Sequence, residues 1–357
     1  MKQIKLSMIL MALIAVVASC KKSDKQVVTQ NPPVNNDTTA LYVLDQGFYG
    51  GNNAALTFYD FSIGRASTDT FQNKNAFKLG DTGTDFIIYG GKMYVVMNVS
   101  GYVAVVNPVT AQLIDTISFV VSSVNKEPEN IVGYGGNVFV SSTDGTVAVI
   151  DTATHAITRE ITVGTNPAQM IIYGTNLYVS NTGAISGSYD STLSVIDLTT
   201  FAESKIVVGI NPGYIAADNS GNLYVACAGD YGATPASLVK VNTTSKAVVT
   251  TVTTSIQVIR FYNNLLYATP GYLSTAASVS VLSPTDLSVV TPSFITDATA
   301  ITAAYGLDID AATGDVYVDD ATDFASPGQT VCFDKTGKKK FSLTTGITPC
   351  KTILIHK

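Results

Sequence analysis

Seven short apolar segments, each centred on one aromatic ring, recur along this chain at a nearly constant interval. They are LYV at 41–43, MYV at 93–95, VFV at 138–140, LYV at 177–179 and 223–225, LYA at 266–268 and VYV at 316–318. The rings belong to Tyr42, Tyr94, Phe139, Tyr178, Tyr224, Tyr267 and Tyr317, spaced 39 to 52 residues apart. Each interval holds four strand-like segments. A unit of about 40–50 residues with four strands is the blade of a β-propeller, whose units bury their faces only against neighbours. The predicted fold is all-β: seven blades of four antiparallel strands.

The clearest unit spans 164–208. Strand A reads QMIIY (169–173), strand B LYVS (177–180), strand C LSVID (193–197) and strand D SKIVV (204–208). The chain opens at 41 on a strand B with no strand A before it. It ends in TPCKTILIHK, a strand A with no strand B after it. The last strand is therefore expected to join the first blade and close the ring, which removes exposed sheet edges. The repeat domain is 41–357.

This frame divides the loops between two faces. The A–B and C–D turns are short and rich in Gly, Asn and Asp, as tight hairpins require. The B–C loops share the other face with the D–A connections. Five are long: 45–56, 181–192, 226–237, 269–278 and 319–330. Long loops on one face of a rigid scaffold are where binding concentrates. They carry Phe48, Tyr49, Tyr189, Tyr231, Tyr272 and Phe324, rings that can stack on a flat or apolar ligand. They also carry Asn52, Asn53, Asp190, Asp230 and Asp320. Below them, the residue opening each strand A forms a ring at the mouth of the central tunnel: Asp85, Asn130, Gln169, Tyr214, Gln257, Gly306 and Lys351. It reads either as a polar socket, with Gln169, Tyr214 and Gln257 as ligand contacts, or as strand-end capping with bound water.

The first 19 residues are expected to be a targeting signal. Lys2 and Lys5 precede an apolar run from Ile9 to Val17 that is too short to span a bilayer convincingly. The run closes on Ala18, Ser19 and Cys20, which resembles the lipobox of bacterial lipoproteins. That resemblance implies that Cys20 is diacylated and anchors the mature chain, with residues 20–40 as a flexible polar tether reaching roughly 25 Å. An outer-membrane lipoprotein of the cell envelope is expected. The mixed charges of CKKSDK leave surface and periplasmic placement both open.

The chain carries 21 basic and 27 acidic residues, a net charge of −6. No basic stripe is present, which argues against nucleic acid as a partner. Only two histidines occur, His155 in a C–D turn and His356 near the C-terminus, both on the short-turn face. A histidine base, a Ser-His-Asp triad and a His-ligated metal are disfavoured on the long-loop face. Carboxylates crowd the last blade at Asp308, Asp310, Asp315, Asp319, Asp320 and Asp323, but their spacing is not that of an EF-hand. Asp319 to Asp323 read as a solvated loop. No cofactor is expected. Cys227, Cys332 and Cys350 form no C-x-x-C motif and read as structural thiols or one incidental disulfide.

The units NPAQMIIYGTNLYVSN…LSVIDLTT and NPGYIAADNSGNLYVA resemble the YVTN/YncE-like seven-bladed propellers. The opening LYVLDQGFYGGNNAALTFYD resembles the first blade of a Bacteroidetes lipoprotein branch within that group. The branch includes surface lipoproteins that capture vitamin B12 and related cobamides and pass them to a TonB-dependent transporter. The resemblance implies non-catalytic capture of a small molecule, a cobamide being the sharpest expectation. A metal-dependent propeller hydrolase or lactonase and an envelope interaction scaffold are the alternatives.

Overall fold

The computed structural model describes residues 38–184, 188–271 and 278–357. The targeting signal, Cys20 and most of the tether lie outside the described residues, as does Tyr272. The described chain forms seven four-stranded antiparallel sheets arranged as a propeller. The aromatic segments supply the second strand of every blade: Thr38–Asp45, Lys92–Met97, Asn137–Ser142, Asn176–Ala184, Asn222–Cys227, Leu265–Pro270 and Val316–Asp320. The C-terminal strand Pro349–His356 pairs antiparallel with Thr38–Asp45, so the two ends of the described chain share blade 1. That strand B starts three residues before the expected Leu41. Thr38 pairs with His356, which puts Thr38 on the short-turn face.

The buried side chains fall into seven clusters, one for each junction between neighbouring blades. Each strand-B ring lies in the junction with the next blade. Tyr42 packs with Phe86 and Met93 of blade 2, Tyr178 with Leu223 and Val225 of blade 5, and Tyr317 with Tyr59 and Phe61 of blade 1. The hydroxyl explains the choice of tyrosine at two of the seven rings. Tyr42 donates to the carbonyl of Pro108 (3.1 Å) and Tyr224 to that of Pro284 (3.0 Å), each in the C–D turn of the next blade. Every ring thus fills an apolar gap, and these two also pin the neighbouring turn. Tyr94 differs, because its buried hydroxyl has no partner.

Three local features depart from expectation. Residues 181–192 were expected to be a loop, but the strands of blade 4 continue as a ladder to Gly183↔Tyr189 and Ala184↔Ser188. Gly183 (φ 82°) accommodates a register shift in this ladder where a Cβ would strike the Asp190 amide. A two-strand ribbon, Val120–Val121 with Val124–Asn125, decorates the link from blade 2 to blade 3. In blade 1 the outer strand shrinks to Arg65–Ser67. A short helix, Thr70–Asn75, follows and buries Phe71 in the junction with blade 2.

The ring closes around two buried carboxyl groups. Asp45 accepts from Thr57 Oγ1 (2.7 Å), and Asp319 accepts from Thr330 Oγ1 (2.6 Å) and Thr352 Oγ1 (3.0 Å). Asp45 Oδ1 and Asp319 Oδ2 have no partner. Burial pushes Asp45 up to about 8 and Asp319 up to about 7, with the charge of Asp319 raising Asp45 and that of Asp308 raising Asp319. Asp45 is therefore held mostly protonated near neutrality and Asp319 shares its proton about evenly with solvent, which limits the buried charge.

Two predictions follow from these junctions and this seam. Tyr224→Phe should cost about 1 kcal/mol in urea unfolding through its lost hydrogen bonds, whereas Tyr94→Phe should be neutral or stabilising. In the unfolded chain both seam acids titrate near ~4, so between about pH 4 and pH 8 the folded state binds more protons. Stability should therefore fall as pH rises through that window, by up to about 1.4 kcal/mol per unit for each proton. Asp45→Asn should flatten the slope measured by denaturant midpoints at stepped pH.

Candidate functional site

All seven inner strands break register with their strand B at the same level, next to the long-loop face. The shifts fall between Gly83 and Asp85, Pro128 and Asn130, Pro167 and Met170, Pro212 and Ile215, Ile256 and Ile259, Ala304 and Gly306, and Pro349 and Lys351. A bulge re-aims the side chains around it. Here a ring of bulges turns the socket positions and their predecessors toward the mouth of the central tunnel.

On one side of the ring these groups bind one another. Lys351 Nζ donates to Asp85 Oδ1 (2.5 Å), and Asn130 Nδ2 donates to Asp85 Oδ2 (2.5 Å) and to Gln169 Oε1 (3.3 Å). Their acceptors also hold the next blade's backbone: Asp85 Oδ2 takes the Ile131 amide (2.9 Å) and Asn130 Oδ1 the Met170 amide (2.8 Å). Arg260, not anticipated from sequence, and Asp308, read there only as one of the crowded carboxylates of the last blade, extend the pattern. Asp308 Oδ2 accepts from the Thr352 amide (2.8 Å), and Asp308 Oδ1 accepts from Arg260 Nε (3.2 Å) and Nη2 (3.1 Å). Asp85, Asn130, Gln169, Arg260, Asp308 and Lys351 line a tunnel cavity of about 360 Å³. Gly306 contributes no group to the ring, since a Cβ there would come 2.3 Å from Asp319 Oδ2.

A second cavity, about 550 Å³, opens among the loops of blades 5, 6 and 7. Its walls are Ala228, Tyr231, Ser255, Ile256, Gln257, Gly271, Tyr305 and Phe324, with no charged side chain. Of the residues singled out from sequence, the structure brings Tyr231, Gln257 and Phe324 together here. Tyr189 joins edge-on to Tyr231, with ring centres 6.0 Å apart. Tyr305, not anticipated, meets Phe324 edge-on at 5.4 Å. It precedes the socket position and reaches the site only because the blade 7 bulge turns it inward. The Gln257 side-chain amide has no hydrogen-bond partner among the described residues. Tyr214 lines neither cavity and packs, partly buried, against the apolar clusters of the junctions on either side of blade 6. Its phenol is raised mainly by burial and also feels Tyr305 on one side and Arg260 on the other. Glu129, half-buried at the same level, is pushed up to about 7 by desolvation and by Asp85.

The remaining positions lie elsewhere. Phe48 and Tyr49 are exposed on the blade 1 loop, Tyr49 at 82%. Asn53 Oδ1 accepts from the Phe48 amide (3.1 Å), and Asn52 takes a left-handed turn (φ 46°) beside it. Asp190 accepts from the Ser191 amide (2.6 Å) and Thr192 Oγ1 (2.7 Å). Asp230 accepts from the amides of Gly232 and Thr234, both at 2.8 Å. Each of these carboxylates organises its own loop. The expectation of a solvated loop at Asp319 to Asp323 is corrected at its start. Asp319 and Asp320 are buried, and Asp320 accepts from the amides of Thr302, Ala303 and Thr322 and from Gln329 Nε2. Asp320 is thus met by backbone N–H groups and Asp319 by the hydroxyls of Thr330 and Thr352 rather than by water.

Cys227, Cys332 and Cys350 are all free thiols. Among the described residues no cluster of His, Cys, Asp and Glu is arranged to hold a metal ion, and no helix is long and apolar enough to cross a membrane.

No protein-family model and no curated protein matches this chain. Solved structures do resemble it. A quinonprotein alcohol dehydrogenase-like protein from Bacteroides thetaiotaomicron superposes with a TM-score of 0.65 at 16% identity, covering 90% of this chain and 79% of that one. A Lactobacillus plantarum protein gives 0.64 at 12% identity, covering 89% and 99%. Hydrazine synthase from Kuenenia stuttgartiensis gives 0.58 at 16%, covering 71% and 76%. At such identities the likeness is one of fold.

Proposed function

We propose that this protein is a lipid-anchored propeller of the cell envelope that binds a small molecule, without chemistry, in the cavity among blades 5, 6 and 7. The observation that carries this reading is the cavity itself. Its volume is that of a small-molecule site, and three aromatic rings line it with one unpartnered amide to orient a ligand. The absence of charge in its walls suits burial of an apolar body.

Two further observations support the reading. Each tunnel carboxylate already has a protein cation: Lys351 beside Asp85, and Arg260 beside Asp308. A propeller hydrolase would need such carboxylates for a metal, so the arrangement favours binding over hydrolysis. The chain also enters the propeller at Thr38, on the face opposite the cavity. A tether anchored through Cys20 would hold the cavity away from the bilayer and open to the medium, and its reach of roughly 25 Å would let the domain turn toward a TonB-dependent transporter in the same membrane. The resemblance of the first blade makes a cobamide the first ligand to test. A corrinoid is larger than the molecules a pocket of this size encloses, so it would seat one edge in the cavity and lie across the mouth.

Mixing the purified soluble domain with cobalamin and following co-elution by visible absorbance tests that ligand. For whatever ligand binds, Tyr231→Ala with Phe324→Ala should weaken affinity tenfold or more, about 1.4 kcal/mol or above. The melting temperature should move little, because both rings are about half exposed. Unchanged affinity would place the site elsewhere. In cells, Cys20→Ala should move the protein from the membrane fraction to the soluble fraction, and its retention on membranes would exclude the lipid anchor.

A further inference from the structure

The cavity and the tunnel are lined by the same strand. Ile256 and Gln257 face the cavity, and Ile259 and Arg260 face the tunnel. Three residues of extended chain separate Gln257 from Arg260, about 10 Å. A ligand that fills the apolar cavity and extends about 10 Å along this strand would bring one end to the level of the tunnel side chains.

The tunnel restricts what that end can be. Its charged side chains come from four consecutive blades and alternate in sign: Arg260 on blade 6, Asp308 on blade 7, Lys351 on blade 1 and Asp85 on blade 2. They sum to zero. A lone carboxylate entering would be drawn to Arg260 and Lys351 but repelled by Asp308 and Asp85, and a lone ammonium would meet the converse. Either would also lose its hydration. A group carrying both signs close together can set each against its opposite and add no net charge. Hydrogen-bonding capacity remains for it. Lys351 uses one of its three N–H donors and Arg260 three of its five. The opposite wall, Asn130 and Gln169, is neutral and amide-bearing.

We infer that the ligand of this site is amphipathic, with an apolar ring-bearing body in the loop cavity and a net-neutral, zwitterionic head in the tunnel. The inference rests on the binding role proposed for the cavity and adds the class of molecule it takes.

The chain contains no tryptophan, so the fluorescence of an indole probe reports its own binding. Three probes share one ring and differ in the charge of the head: tryptophan is a zwitterion, indole-3-propionate an anion and tryptamine a cation. Tryptophan should bind the purified domain at least tenfold more tightly than the other two. Gln169→Glu, which adds a negative charge on the neutral wall without touching either ion pair, should shift preference several-fold toward tryptamine. Arg260→Gln should shift it the same way. If the three probes bind alike and all are weakened by Tyr231→Ala with Phe324→Ala, the zwitterion assignment is overturned while the cavity reading stands. If none binds, the zwitterion assignment fails; if binding ignores those two substitutions, both readings fail.

Discussion

Each blade can bury its two faces only against its neighbours, and the aromatic ring of the second strand is what fills that junction. The seven rings lie at equivalent positions and all point the same way round. A ring at one position is therefore matched by a gap that the next blade must provide. Tyrosine does this better than phenylalanine where its hydroxyl reaches a carbonyl in the next C–D turn, as at Tyr42 and Tyr224. The apolar body supplies burial and the polar tip supplies register. Because a solenoid-like array gains its stability from neighbour contacts, the seam between blades 7 and 1 must match the other junctions, and here it is made by joining the two ends of the described chain in one sheet.

The architecture was legible because this constraint is periodic. A residue that must fill the same gap seven times leaves a mark at a fixed interval, and strand order and closure follow from where the first and last marks fall. The candidate site was only partly legible. Tyr231, Gln257 and Phe324 sit at loop and strand-end positions that the repeat frame locates. Tyr305, Arg260 and Asp308 do not. Tyr305 faces the cavity because a bulge inserts one residue into the alternation, and a bulge in each inner strand has no fixed sequence mark here. Arg260 and Asp308 lie deeper than the mouth, where an apolar residue is the default.

The loop carboxylates show the opposite failure. Asp190, Asp230 and Asp320 are on the long-loop face, as the frame requires, yet their oxygens are engaged by amides and hydroxyls of their own loops or of the returning chain. Composition cannot separate an Asp that holds a loop from one that holds a ligand, because both need the same acceptor at the same end of a strand. Hydrogen-bond geometry separates them. A carboxylate whose lone pairs are met by backbone N–H groups has little left to offer a ligand, whereas an unpartnered amide such as that of Gln257 does.

The same reasoning explains why the cavity lies over blades 5 to 7 and not at the centre of the ring. From blade 1 to blade 4 the mouth groups are tied into one chain, Lys351 to Asp85 to Asn130 to Gln169, which draws the inner strands together. At blades 5, 6 and 7 the corresponding positions are Tyr214, Gln257 and Gly306. No side-chain hydrogen bond joins them, and Gly306 has no side chain because Asp319 and the Cys350 carbonyl occupy the space. The polar ring is thus sutured along one arc and open along the other. Aromatic residues from the long loops line the open arc, since apolar surface left uncovered there is best covered by rings that tolerate water at one edge. An asymmetric cavity then follows from a nearly symmetric scaffold through a few substitutions at one level of the inner strands.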